Sequence, residues 1–269
     1  NIYSNNKNNL FNIIKNTSTS IGRRELRYRL LNPIVNPDIL EERYNKTELL
    51  LDKYTELEEF LNNIYDLERL TRKMLLNLLE PYEFYNLHIS YLSINKLFDY
   101  LKNNKLDLFL PNLETISTFK KFQNEYQNKL NLDEVSKYNL NNISSSIFKC
   151  NIYPEVDSII EENNNINLYF EESCNYFSNL IEKNSNFAKI DSTEVEGHFI
   201  LVTTKRSQSI KNSNINPIYS NIKYSTNGMR CKITWTELNN KSKTYKTNIE
   251  QLKVLSKDKL QKLFITFYE

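Results

Sequence analysis

Glycine is almost missing from this 269-residue chain, which contains only Gly22, Gly197 and Gly228. A loop that cradles the phosphates of a nucleotide needs two or three glycines within about six residues, because its backbone must approach the phosphate closely. The three glycines lie far apart in the sequence, which excludes a Walker A site, a Rossmann fingerprint and a kinase glycine-rich loop. We therefore expect this chain not to be an enzyme, with no catalytic residues and no cofactor of its own.

Sequence patterns for metal sites, disulfides and membrane helices are lacking as well. The two histidines and three cysteines are widely spaced and form neither C-x-x-C nor H-E-x-x-H, so we predict no metal site. An odd, sparse cysteine set argues against a disulfide framework, and no apolar run approaches the ~18 residues of a membrane helix. These features predict an intracellular protein with no membrane partner, located for example in a nucleus, an organelle or a viral factory.

Charge is present but unevenly distributed, although the net charge is only +2. The segment from His198 to Thr247 has nine lysines and arginines and one acid, Glu237, so it carries +8 and leaves −6 for the rest of the chain. A basic patch on an otherwise acidic chain indicates contact with a polyanion. A solvated basic face would have the same composition, so charge alone leaves both interpretations open.

Apolar residues recur at helical spacing along most of the chain, which predicts a mainly α fold. Proline marks several limits, since Pro37 and Pro81 stand where helices are expected to begin. Two further segments predict long helices, one from Pro154 to about residue 183 and one from Glu237 to Tyr268.

Between the two long helices the pattern changes to short β-prone runs, at residues 187–190, 198–204 and 218–226. Asn227-Gly228 then separates the last of these from the run at 230–235. This pair predicts a type I′ hairpin, whose two central residues both need positive φ. We therefore predict a small antiparallel sheet inserted between two long helices.

The predicted fold is a helical core with two long antiparallel lever helices and a small inserted antiparallel β clamp. Residues 1–185 are expected to form the core and first lever helix, 186–236 the clamp, and 237–269 the returning lever helix. The basic patch lies on the clamp, so the two helices would hold a phosphate-binding surface away from the core.

The predicted DNA-binding residues are the cations of the clamp: Lys205, Arg206, Lys211, Lys223, Arg230 and Lys232. Phosphate contact needs only flexible cations on a surface that follows the duplex, so no sequence specificity is expected. Three aromatic residues of the same segment, Tyr219, Tyr224 and Trp235, can stack on bases as in single-strand binders. So small a sheet also needs large side chains for its own core, and we favour that role for them.

Paired carboxylates at Asp66 and Glu68 raise the question of acid–base chemistry. They stand at helical spacing with Arg69 and Arg72, which is typical of an ion-pair set that is exposed on one helix or joins two helices. General acid–base catalysis would also need a cleft, so the sequence favours a structural role for these residues.

The stretch from Thr17 to Arg43 resembles the core domain of the MutS mismatch-repair family. It begins T-S-T-S-I-G-R-R-E-L, where the family pattern begins T-x-T-x-M-G-x-R-x-L. Further similar elements follow in the family's order: D-L-E-R-L at 66–70, Y-P-E-V-D at 153–157 and E-G-H-F-I-L-V-T at 196–203. The chain departs from the pattern at Arg29, where the family has Trp, and residues 205–235 match poorly.

The resemblance implies the core, lever and clamp of a divergent MutS-like DNA mismatch-repair protein. The abundance of Asn, Lys, Ile and Tyr is typical of an AT-rich genome and indicates a viral or organellar origin. The resemblance also implies duplex DNA as partner, because the family's clamp holds the duplex by its backbone. The parent protein would be a DNA-dependent ATPase that binds mismatched DNA, forms a homo- or heterodimer, and holds ATP and Mg²⁺ in an ATPase domain missing from this chain.

Two alternatives remain open at this point. A helical scaffold could use the basic hairpin to meet an acidic protein, in which case duplex DNA would compete poorly with an acidic peptide. A binder of single-stranded nucleic acid would use the three aromatic residues, and its tryptophan emission would respond to poly(dT) but not to duplex.

Overall fold

The computed structural model describes residues 9–268, so the first eight residues of the predicted 1–185 domain, and Glu269, lie outside the described residues. The described helices are α1 Leu10–Ile14, α2 Ser20–Leu31, α3 Pro37–Glu48, α4 Tyr54–Leu61, α5 Leu67–Leu75, α6 Pro81–Asn103, α7 Leu113–Lys129, α8 Leu132–Val135, α9 Pro154–Ile181, α10 Thr204–Lys211 and α11 Thr236–Tyr268. The strands are β1 Lys189–Thr193, β2 Gly197–Thr203, β3 Lys223–Asn227 and β4 Arg230–Thr234.

The predicted mainly α fold with a small antiparallel β insertion is confirmed. Pro37 and Pro81 begin α3 and α6, as their fixed φ and missing N–H favour. The two long helices are α9, with 28 residues, and α11, with 33. They run antiparallel, because Phe170 lies against Tyr245 while the earlier residue Asn163 bonds the later residue Asn248.

The chain divides into two compact units, residues 1–141 with 259–269, and residues 142–258. The predicted limits of 1–185, 186–236 and 237–269 stay a prediction. In the first unit, the core is aromatic: Phe84 stacks on Phe264 at a ring distance of 5.1 Å and meets Tyr126 at 5.3 Å. By contrast, no residue of α1–α4 is fully buried.

The carboxylates at 66 and 68 form ion pairs, as the helical spacing predicts. Arg24 of α2 donates to both oxygens of Asp66 at 2.8 Å and lies 2.6 Å from the Glu68 carboxylate. Asp66 also caps α5 by accepting from the Arg69 N–H. The Arg24 hydrogen bonds hold the pKa of Asp66 below its usual range, which identifies this carboxylate as a structural anion.

The second unit contains one four-stranded antiparallel sheet in the order β1-β2-β4-β3. The β3–β4 turn lies one residue later than predicted, because Asn227 pairs with Arg230 and leaves Gly228 and Met229 as its two central residues. Only Gly228 of these two has a positive φ, of 60°. The predicted type I′ turn is therefore wrong, since the turn has the glycine position typical of type II′.

Several predicted strand limits are also wrong. The first run, predicted at 187–190, forms β1 at Lys189–Thr193. Thr204 belongs to helix α10, because the Thr203 hydroxyl caps the Arg206 N–H and so starts a helix where the strand ends. The strand predicted at 218–226 begins only at Lys223. The Asn216 side chain accepts from the Ile218 N–H, which folds this segment into a turn before the strand.

Candidate nucleic-acid interface

The four-stranded sheet has an inner face that forms the core of the second unit. Ile200 pairs with Ile233 and Val202 pairs with Cys231, and all four side chains are buried. They belong to one apolar cluster with side chains of α9, among them Phe170. Because side chains alternate across a strand, the residues between them point to the outer face.

Cations line this outer face on three strands. Leu201 is the strand partner of both Lys189 and Lys232, so these two lysines share its face. Arg230 is two residues from Lys232 on β4, and Lys223 of β3, which stands four pairs from the Asn227–Arg230 pair, lies on the same face. The outer face therefore carries four cations, of which sequence reasoning missed Lys189. Lys189 and Asp191 stand two residues apart, as on one face of a strand, and this was the signal in the sequence. Only the strand register places Lys189 beside Lys232.

Helix α10, and not the hairpin, carries the other three predicted residues. Thr204 joins this helix to the hairpin turn, since its N–H donates to the Met229 carbonyl at 2.9 Å and its hydroxyl donates to the Gly228 carbonyl at 2.8 Å. Lys205 and Arg206 come directly after Thr204 and therefore lie beside the β3–β4 turn. Arg230 is the first residue of β4 after the same turn. Lys211 lies at the opposite end of α10, so the structure does not bring it to that turn.

Aromatic rings support three of the six predicted cations. The Arg206 guanidinium lies 3.5 Å from the centre of the Phe187 ring, and the Lys211 ammonium lies 4.8 Å from that of Tyr224. The Lys232 ammonium stands 4.5 Å from the Phe199 ring centre. A cation over a ring keeps its charge while losing mobility, which prepares these groups to face an anion.

Lys232 differs from the other predicted cations in its ion pairing. Its ammonium forms an ion pair with the carboxylate of Glu196, in the β1–β2 turn. Within residues 9–268, no acidic side chain pairs with the remaining five, which are Lys205, Arg206, Lys211, Lys223 and Arg230. Lys211 lies over the ring of Tyr224, whose strand partner Ile233 is on the inner face. Four of these uncompensated positive charges therefore remain at the outer face and the adjoining turn.

The two hairpin turns of the sheet differ in charge. Thr203 pairs with Arg230, so the β3–β4 turn and the start of α10 lie at the end of the sheet where β2 finishes. The β1–β2 turn, with Glu194 and Glu196, lies at the other end, where β2 begins. These acids precede His198 in the chain, so the basic segment defined from the sequence did not include them.

The three aromatic residues considered for base stacking are occupied within the second unit. Trp235 is 1% exposed, and its indole N–H donates to the Tyr169 hydroxyl at 2.8 Å. Tyr219 stacks on Tyr176 at a ring distance of 4.6 Å, and Tyr224 lies beneath Lys211. This packing favours the core role for them and gives single-strand binding no structural support.

His198 has a structural setting near the acidic end of the sheet. Its ring stacks on Phe170 at 4.6 Å, and its Nδ1 lies 2.9 Å from the Ser242 hydroxyl. Burial lowers its pKa, so the ring is neutral near pH 7. A neutral histidine adds no charge to the interface.

The described part of the chain gives little support for a metal site, a membrane helix or a reactive thiol. No group of three or more His, Cys, Asp or Glu side chains among residues 9–268 is placed to hold a metal ion. The helices of the same residues are all too short or too polar to cross a membrane. Cys150, Cys174 and Cys231 are free thiols, and burial raises the pKa of Cys174 to about 11, so its thiol is protonated at neutral pH.

Comparison with known proteins links this architecture to mismatch repair. The model of MutS domain III matches residues 1–265. A putative DNA mismatch repair protein, a mutS homolog of Acanthamoeba polyphaga mimivirus, is 27% identical over 221 residues, which cover 78% of this chain and 20% of that protein. The DNA mismatch repair protein MutS of Clostridium botulinum strain Okra is 29% identical over 205 residues, covering 73% and 21%. The chain thus spans about a fifth of the length of these relatives.

Proposed function

The chain belongs to the MutS family, matching its domain III, and we propose that it contacts the backbone of duplex DNA through the outer face of its sheet and the adjoining α10. The observation that carries this proposal is a set of four cations at this surface without an acidic partner among the described residues, namely Lys205, Arg206, Lys223 and Arg230. Flexible cations on a surface bind phosphate regardless of base sequence, so the contact would be the same for matched and mismatched duplexes.

The proposal places this contact within a longer mismatch-repair protein. That protein would bind mismatched DNA as a homo- or heterodimer inside the cell, and would couple DNA binding to ATP turnover in an ATPase domain that holds ATP and Mg²⁺. Helices α9 and α11 would act as stiff rods that transmit motion between the two sites. In this proposal ATP and Mg²⁺ would act in that ATPase domain and not in the present chain, whose three glycines are widely spaced.

The test is a titration of fluorescent duplexes with the 269-residue chain and its Lys205→Glu/Arg230→Glu variant. Both residues are exposed and flank the hairpin turn. If about four phosphates are contacted, log K falls with log salt at a slope near −3.6, and losing two contacts makes the slope shallower by about 1.8. We expect at least a tenfold loss of affinity at low salt, equal for a matched and a single-mismatch duplex.

A matched control separates a local contact from an effect of net charge. Lys120→Glu/Lys121→Glu makes the same charge change on α7, where both lysines are exposed. Equal losses for the two double variants would contradict a localised interface. If an acidic peptide displaced the labelled duplex more readily than unlabelled duplex does, the scaffold alternative would replace the proposal.

A further inference from the structure

We propose that the β1–β2 hairpin restrains the grip on DNA, because Glu196 holds Lys232 in an internal ion pair that phosphate must displace. The inference rests on the proposed function, since it concerns the same surface. It assigns Glu196 as an intramolecular competitor of the DNA backbone for the Lys232 ammonium.

Two neighbours hold the Lys232 ammonium in place. The Glu196 carboxylate pairs with it, and the Phe199 ring lies beneath it, 4.5 Å from the ammonium nitrogen. Phe199 lies on the outer face, because it stands two residues from Leu201 on β2 and pairs with Asp191. It is nevertheless only 2% exposed. The aliphatic stem of Lys232 therefore covers this ring, which fixes the side chain where Glu196 can reach it.

The Lys232–Glu196 pair can be exchanged, because it lies at the surface. The Lys232 side chain is 33% exposed and the Glu196 side chain 52%. Exposed ion pairs contribute little stability, since water screens both charges. A phosphate that reaches Lys232 can therefore replace the carboxylate, whereas a fully buried pair would resist it.

The location of Glu196 determines which cations of the surface are restrained. The uncompensated cations Lys205 and Arg230 lie at the end of the sheet farthest from the β1–β2 turn. The Glu196 carboxylate pairs with Lys232 and not with these two cations. The restraint therefore acts on Lys232 and leaves Lys205 and Arg230 free to engage phosphate first.

The experiment compares duplex binding by the whole 269-residue chain and its Glu196→Gln variant across a salt series. Freeing Lys232 should tighten binding about two- to fivefold at low salt, which is the range of an exposed ion pair. It should also make the slope of log K against log salt steeper by about 0.9, because one more phosphate is engaged. Glu194→Gln is the matched control: it removes the same charge from the same turn but leaves the Lys232–Glu196 pair intact, so its slope should stay at the wild-type value.

A second background tests whether the effect acts through Lys232. Lys232→Met keeps an unbranched stem over Phe199 and removes the charge, so adding Glu196→Gln to it should leave the slope unchanged. An unaltered slope in Glu196→Gln, or the same gain in both backgrounds, would overturn the restraint while wild-type binding still supports the proposed function. A wild-type chain that shows no salt-dependent duplex binding would overturn both.

Discussion

At the scale of single residues, Asp66 shows how one side chain serves two structures. Its carboxylate caps α5 and receives two hydrogen bonds from Arg24 of α2. The sequence predicted an exposed or inter-helix ion-pair set from helical spacing, but it did not identify Arg24 as the partner. The guanidinium that binds Asp66 comes from a residue 42 positions away, which spacing on one helix cannot reveal.

Two substitutions separate the roles of Asp66. Asp66→Asn keeps an oxygen that can cap α5 but loses the ion pair, whereas Asp66→Ala loses both. We expect Asp66→Ala to be less stable than Asp66→Asn by about 1 kcal/mol, the usual cost of losing an N-cap. Urea unfolding at pH 7 measures the difference, and equal stabilities would contradict the capping role.

The same residue predicts a dependence of stability on pH. Arg24 lowers the pKa of Asp66 in the folded chain, so the ionised form stabilises the fold at every pH above the unfolded value of about 3.9. This contribution is lost as the pH falls through the lowered folded pKa. The stability gap between wild type and Asp66→Asn should therefore narrow as the pH falls below the unfolded value, and a gap that does not change with pH in acid would contradict the assignment.

At the scale of elements, each of the two hairpins contains a glycine, but the two glycines have different roles. Gly197 has φ +74°, and a Cβ there would stand 2.5 Å from the Ser242 hydroxyl oxygen of α11. That hydroxyl accepts the His198 N–H at 2.8 Å. Gly228 has φ +60°, but a Cβ there would meet nothing within 4 Å. The first glycine allows close approach of strand and helix, and the second only shapes a turn.

Alanine at each glycine tests this difference. Gly228→Ala should cost about 1–2 kcal/mol of unfolding free energy, the strain of a left-handed backbone. Gly197→Ala should cost clearly more, because Ser242 must also move. Adding Ser242→Ala removes the clashing oxygen, so the double variant should lose less than the sum of its single changes. Strict additivity in thermal or urea unfolding would contradict the close contact.

At the scale of the whole molecule, buried side chains are concentrated in some helices and missing from others. No residue of α3 is buried, and Tyr44 of this helix is 62% exposed. In the same unit α6 buries several side chains, including Phe84 and Leu87, which are fully covered. Local opening is easiest where few apolar contacts must break, so these two helices should differ strongly in dynamics.

Hydrogen exchange followed by mass spectrometry measures that difference. We expect the amides of α3 to exchange at least a hundredfold faster than those of α6 in the isolated chain. The two helices belong to one unit, so α6 is an internal control for its global stability. Similar protection of α3 and α6 would contradict the prediction.

The whole molecule also shows how far the sequence could be interpreted. Helical periodicity and proline located α3, α6, α9 and α11, because these signals are local. Charge counting along the chain found the basic segment but missed Lys189 and the acids of the β1–β2 turn, since only strand register brings them to the same sheet. Helix α10 was missed because a capping threonine, Thr203, follows a strongly β-prone run.

The buried indole of the second unit has a consequence for spectroscopy. Trp235 is the single tryptophan of the chain, and it lies in the apolar cluster beneath the sheet. Its emission wavelength therefore follows the solvent exposure of that one unit during denaturation. Far-ultraviolet ellipticity is dominated by helices of both units, so the two optical signals together distinguish a single cooperative transition from two separate ones.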